Sequence, residues 1–98
     1  MNESGNRQAP LLQALAHADW RTREQAADAL REIGDRTAAP GLALLLSDPC
    51  WRVRFAAINA LSRLGAEPGI FVALRHDTDR RVRALASRIL NDQVGHRQ

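Results

Sequence analysis

The chain contains no Tyr, and its 14 basic side chains are all Arg, with no Lys among its 98 residues. A single cysteine, Cys50, excludes an internal disulfide framework. No apolar run approaches the length of a membrane span, and the opening Met1-Asn2-Glu3-Ser4-Gly5-Asn6 lacks the apolar stretch of a secretory signal, so a cytoplasmic protein without a membrane partner is expected. There is no cluster of consecutive basic residues of the kind that marks a nucleic-acid tail. The 11 acidic side chains are interleaved with the arginines, so the net charge of +3 reads as a mixed, solvated surface. Aromatics amount to 4%, but hydrophobic residues at 45% and charged ones at 26% are ordinary for a globular chain, which argues against disorder.

What the sequence does have is repetition. Trp20-Arg21-Thr22-Arg23, followed by Ala26, Ala27, Ala29, Leu30, Ile33 and Gly34, recurs 31 residues later as Trp51-Arg52-Val53-Arg54 with Ala57, Ile58, Ala60, Leu61, Leu64 and Gly65. A third, looser copy keeps Arg81-Val82-Arg83, Ala86 and Leu90 at a shift of 29. Periods in this range mark solenoids, in which no unit buries its apolar face alone and neighbours must stack. At this length the chain makes one domain at most, so the repeats share one core.

Each repeat reads as a shorter helix followed by a longer one. The second long helix is expected to open at Asp48-Pro49, with Asp48 as N-cap and Pro49 at the first helical position. Val53, Ala57, Leu61 and Leu64 then follow the three-to-four spacing of a buried stripe, and Gly65 stops the helix as Gly34 stops its counterpart. Among the shorter helices, Leu11/Leu42/Ile70 and Leu15/Leu46/Leu74 align as core positions, beside Ala26/Ala57/Ala86 and Leu30/Leu61/Leu90 in the longer ones. Pro10, Pro40 and Pro68 fall at or just before the short helices, where a first turn tolerates them. The repeats span about 9–34, 38–65 and 68–93 of a single domain 1–98, with 1–7 and 95–98 as flexible ends.

The string Leu45-Leu46-Ser47-Asp48-Pro49-Cys50-Trp51-Arg52-Val53-Arg54-Phe55-Ala56-Ala57-Ile58-Asn59-Ala60-Leu61, with Leu64-Gly65, resembles a HEAT-like repeat. The short period is similar to the variety found in phycobilin lyase subunits and many small bacterial proteins, and the resemblance covers about Pro10 to Asn91. It implies an all-α fold, a right-handed α-α superhelix (α-solenoid) of three helical hairpins. About function it is nearly silent, because the family includes scaffolds, adaptors, chromophore lyases and a DNA-repair branch.

Two arginine columns stand out. Arg23, Arg54 and Arg83 hold one place in all three repeats, with Asp48 and Asp77 six residues ahead of the latter two. The resemblance implies that this Arg joins an Asp in the turn before the long helix. A guanidinium satisfying turn carbonyls and a carboxylate together would form an inter-repeat ladder. Repeat one departs from the pattern with His17 at the aligned place and Asp19 nearby, which leaves its rung open.

Arg21, Arg52 and Arg81 form the second column. Helical geometry places Arg52, Phe55, Asn59 and Arg63 together, away from the buried stripe. In the resembling family that side of the long helix lines the inner, concave surface. Glu24, Asp28 and Glu32 correspond in repeat one, and Ala84, Arg88 and Asp92 in repeat three, so the surface runs from acidic to basic along the stack. Phe55 is either an interface anchor or tucked under a neighbouring repeat. Trp20 and Trp51 are expected to wedge over the inter-repeat turns.

Cys50 falls in a helical first turn, where a lone Cys is either a small buried hydrophobe or an activated thiol. His17, His76 and His96 lack metal-ligand spacing, and there is no phosphate loop, nucleophile elbow or paired carboxylate set, so neither catalysis nor a cofactor is expected. These features favour a protein-interaction scaffold binding its partner through Arg21, Arg52, Phe55, Asn59, Arg63, Arg81 and Arg88. A nucleic-acid module built on the Arg column, and an accessory subunit of a chromophore-attachment or metallocofactor-maturation enzyme, are the alternatives. Leu85 and Ile89, larger than the Ala56 and Ala60 of repeat two, are expected either to turn inward or to form an apolar patch for weak self-association.

Overall fold

Two capping devices repeat along the chain and fix where its long helices begin and end. The computed structural model describes the backbone of residues 3–95 and the side chains of 7–92. Of the ends expected to be flexible, 1–7 and 95–98, residues 1–2 and 96–98 lie outside the described residues, His96 among them, while 3–7 and 95 are corrected to helix. Helix α1, Glu3–Ala14, pairs with α2, Trp20–Ile33; α3, Ala39–Leu44, pairs with α4, Trp51–Arg63; a 3-10 helix, Pro68–His76, pairs with α5, Arg80–Gly95. Among the described residues there is no strand, and the three hairpins stack as an all-α solenoid.

Asp19 caps α2 by accepting the Arg21 amide at 3.0 Å, and Asp79 does the same for Arg81 at 2.8 Å. At the equivalent place in repeat two stands Cys50, half-buried and without a side-chain cap bond. The expected start of α4 at Asp48-Pro49 is therefore corrected by two residues. Asp48 does not cap α4, because its carboxylate accepts from the Cys50 amide at 2.9 Å and from Arg23, which holds the preceding bend closed. At the other end, Gly65 takes φ +83°; its amide bonds the Ser62 carbonyl and that of Ala66 the Leu61 carbonyl, the paired bonds of a Schellman stop. Gly34, at φ +76°, ends α2 with a single bond to Leu30. A side chain would strain both positions.

The long helices supply most of the core. Ala26, Ala27 and Leu30 of α2, Val53, Ala57, Ile58 and Leu61 of α4, and Val82 and Ala86 of α5 are at most 2% exposed. Full burial of a residue such as Leu30 or Ile58 contributes about 1.5–3 kcal/mol relative to leaving it in water. Small residues on the facing sides of α2 and α4 let these helices pack more extensively than any other pair but the last hairpin.

The short helices differ from expectation in three ways. Helix α1 starts at Glu3, so Pro10 lies inside it and not at its first turn. Helix α3 tightens after Leu44 into a 3-10 turn, Leu45–Ser47, which buries Leu45 and leaves Leu46 half-buried. In repeat three the whole element is 3-10, and its three-residue period puts Phe71 and Leu74 on one stripe. Phe71 is 1% exposed and Ile70 41%, so the expected core position Ile70 is corrected to Phe71. At about 2.0 Å per residue, the nine residues of this segment span about 18 Å, which lets a shorter repeat reach as far as its neighbours. Leu11 and Leu90 pack at the edges of the core, half-buried.

Candidate functional site

The first arginine column is an inter-repeat ladder. Arg23 Nε and Nη2 donate to Asp48 Oδ2 and Oδ1 at 2.7 and 3.0 Å; Arg54 Nε and Nη2 donate to Asp77 Oδ2 and Oδ1 at 2.9 and 2.8 Å. Each Asp carboxylate thus pairs with the Arg of the preceding repeat, which corrects the expected pairing of Asp48 with Arg54 and Asp77 with Arg83 within one repeat. The remaining Nη1 turns back to its own repeat, reaching the carbonyl six residues upstream at 2.7 Å in all three copies: His17 for Arg23, Asp48 for Arg54 and Asp77 for Arg83. The rung of repeat one, left open by His17 at the aligned place, is complete, because the acceptor there is a backbone oxygen and does not depend on the side chain. Burial would raise the Asp77 carboxyl, but hydrogen bonds from Arg54 and the Asp79 amide hold it below the usual carboxylate value. The hydrogen bond with Asp48 raises Arg23 despite desolvation.

The second column is threaded by tryptophan. Arg21 lies 4.7 Å from the Trp20 ring centroid, Arg52 lies 5.6 Å from Trp20 and 4.9 Å from Trp51, and Arg81 lies 3.8 Å from Trp51. The order Arg21, Trp20, Arg52, Trp51, Arg81 therefore runs across all three repeats as one stack of alternating cation and ring. Both tryptophans are half-buried, and each meets an arginine of the next repeat, Arg52 for Trp20 and Arg81 for Trp51. Two of the three cations already hold carboxylates: Arg21 approaches Asp19 at 3.7 Å, and Arg81 chelates Asp79 at 3.2 and 3.0 Å. That contact, led by the Arg81 hydrogen bond, pushes Asp79 down to about 2.

Beside this stack the inner surface opens. Phe55 is half-buried, held edge-on to Trp51 with centroids 6.2 Å apart and ring planes at 89°. Phe55, Arg81, Ala84, Leu85 and Arg88 line an open notch of about 330 Å³ between α4 and α5. Leu85 is 4% exposed and forms part of the core, with Ile89 half-buried against it, so the apolar end patch expected for self-association is not formed by Leu85. The reason is the packing of α5 on the 3-10 helix, which turns Leu85 inward. Arg52, Arg63 and Arg88 are exposed and, among the described residues, form no ion pair; Asn59 is half-buried between Phe55 and Arg63 in the sequence of the same helix. On α2 the corresponding positions hold Glu24, half-buried, and exposed Asp28 and Glu32, the last paired with Arg31 at 3.2 Å.

A second open cavity, about 360 Å³, lies at the first hairpin between Arg7, Leu11, Ala29, Glu32 and Ile33. Among the described residues no group of three or more His, Cys, Asp or Glu side chains could hold a metal ion, and no helix is long and apolar enough to cross a membrane.

The family model for HEAT repeats matches residues 9–91. The chain belongs to the HEAT-repeat family. No curated protein matches it. HEAT repeats generally mediate protein–protein interaction or scaffolding on a non-catalytic fold, and the stacked hairpins of this HEAT-repeat protein, with the long helices α2, α4 and α5 side by side, are the corresponding framework. Sequence reasoning placed Phe55, Arg81, Ala84 and Arg88 on this surface but missed Leu85 as their neighbour. The helical spacing of Arg81, Ala84, Leu85 and Arg88 was the available signal.

Proposed function

We propose that this HEAT-repeat protein is a non-catalytic adaptor that binds a segment of a partner protein along the surface formed by α2, α4 and α5. The observation that carries the reading is the notch between α4 and α5, where Phe55 offers an aromatic wall that Trp51 already holds in place. A rigid aromatic beside arginines is the composition of interface anchors, since little side-chain entropy is lost on binding. On this reading Arg81 and Arg88 at the notch, with Arg21, Arg52, Asn59 and Arg63 on the neighbouring long helices, supply the polar rim. The nucleic-acid alternative, which would use Arg21, Arg52, Arg63, Arg81 and Arg88, is weakened by the carboxylates beside Arg21 and Arg81, which compete with a phosphate for two of these five cations.

Site-specific photo-crosslinking tests the reading. A photoreactive residue at Arg63 or Arg88 should capture a discrete partner in the source cell, and one at Gln13 or Ala43, exposed on the short helices, should not. Capture from the short-helix side alone would overturn it.

A further inference from the structure

The notch has a chemistry that its neighbours do not share. It is lined by the apolar Phe55, Ala84 and Leu85 together with the cationic Arg81 and Arg88. Arg81 is anchored by Asp79 and lies on the Trp51 ring, so its position is set before anything binds. Arg88, with Arg63 and Arg52 on the adjoining helix, carries exposed positive charge without a carboxylate in reach among the described residues. The inner face of α2 carries the opposite sign, at Glu24, Asp28 and Glu32. Apart from Asp92, one turn beyond Arg88, charge on this surface is therefore sorted by helix, with the apolar notch at the more positive end.

We infer that the notch takes a short acidic segment of a partner protein, in which one large apolar side chain is flanked by Asp or Glu. The apolar side chain fills the space between Phe55 and Leu85, and the flanking carboxylates reach Arg88 on one side and Arg52 or Arg63 on the other. Charge-assisted hydrogen bonds of this kind are stronger than neutral ones and fix register. Helices packed 8–10 Å apart put about six extended residues across the two steps from α5 to α2. The far end of such a segment then meets Glu24 and Asp28, which favours a basic or neutral residue there and sets the direction of binding. The inference rests on the inner-surface reading above and adds to it the chemistry and orientation of the ligand.

A display library of random nine-residue peptides, selected on the full chain and followed by amide shift mapping of the enriched peptides, tests it. The expected result is enrichment of Leu, Ile, Phe or Trp with at least two Asp or Glu within three residues. Shifts should centre on Phe55, Ala84 and Arg88. Arg88→Glu and Ala84→Trp, both at exposed positions, should each weaken the enriched peptide at least tenfold with an unchanged melting temperature. Neutral or basic peptides mapping to the same helices would overturn the inference and leave the inner-surface reading standing. Peptides mapping away from α2, α4 and α5 would overturn both. Failure to enrich any peptide overturns the inference, as does displacement of the peptide by a single-stranded oligonucleotide whose shifts spread over Arg21, Arg52 and Arg81.

Discussion

Arg54 and Asp77 stand 23 residues apart in sequence and meet through two parallel hydrogen bonds, at 2.9 and 2.8 Å, with side chains only 11% and 8% exposed. The same guanidinium closes the turn of its own repeat on the Asp48 carbonyl at 2.7 Å. One side chain thus fixes both the entry of α4 and the seat of the next hairpin. Desolvating such a pair costs much of what its attraction returns, so its structural effect is orientation more than net stability, while breaking it strands a buried charge.

Removing the shared guanidinium should therefore be expensive. Arg54→Ala is expected to cost about 2–4 kcal/mol, because it leaves Asp77 and a buried carbonyl unpaired. Arg83 makes the turn bond to Asp77 but, among the described residues, pairs with no carboxylate, so Arg83→Ala should cost about 1 kcal/mol. Arg52→Ala, which loses two exposed ring contacts, should cost under about 1 kcal/mol. Urea midpoints of the three variants give the order; equal losses at Arg54 and Arg83 would show that the inter-repeat pair contributes nothing beyond the turn.

Acid should loosen the stack. Asp77 and Asp79 titrate below the unfolded-chain value of about 3.9, Asp79 at about 2. A depressed folded-state value stabilises the protein fully above the unfolded value, and that stabilisation is lost as pH falls through the folded one. Stability should thus decline between about pH 4 and pH 2. Asp77→Asn should be less stable at pH 7 and flatter across that window in denaturant titrations; parallel curves for both proteins would remove Asp77 from the account.

The third repeat offers a test of its core. Phe71→Ala is expected to cost about 3–5 kcal/mol, as for other buried aromatic truncations. Ile70→Ala, one residue earlier but 41% exposed, should stay within about 0.5 kcal/mol. Thermal unfolding of the pair decides; a larger loss at Ile70 would restore the register first read from the sequence.

Much of this fold was legible because apolar residues, glycine stops and arginines recur together in the long helices, where an α-helical period holds throughout. The short elements were less so. A three-residue period moved the core from Ile70 to Phe71, and the only local signal was that a shift of 29, already present between Arg52 and Arg81, carries Leu42 onto Phe71. Asp48 looked like an N-cap because Asp-Pro is a common helix start; its actual partner, Arg23, is 25 residues away and no local rule points to it. Of the site, the columns of arginine were readable and their threading by Trp20 and Trp51 was not, since that depends on how far apart the repeats stack. Of the two outcomes the sequence left open for Leu85, the inward one holds, for the same reason.

The central claim is that the inner surface beside Phe55 receives a partner segment. The most direct measurement is the affinity of the partner captured by crosslinking at Arg88, compared by calorimetric titration between the native chain and Ala84→Trp, which fills the notch from an exposed position. The account predicts at least a tenfold loss of affinity with no change in melting temperature. Unchanged affinity in a variant that folds as the native chain does would contradict it.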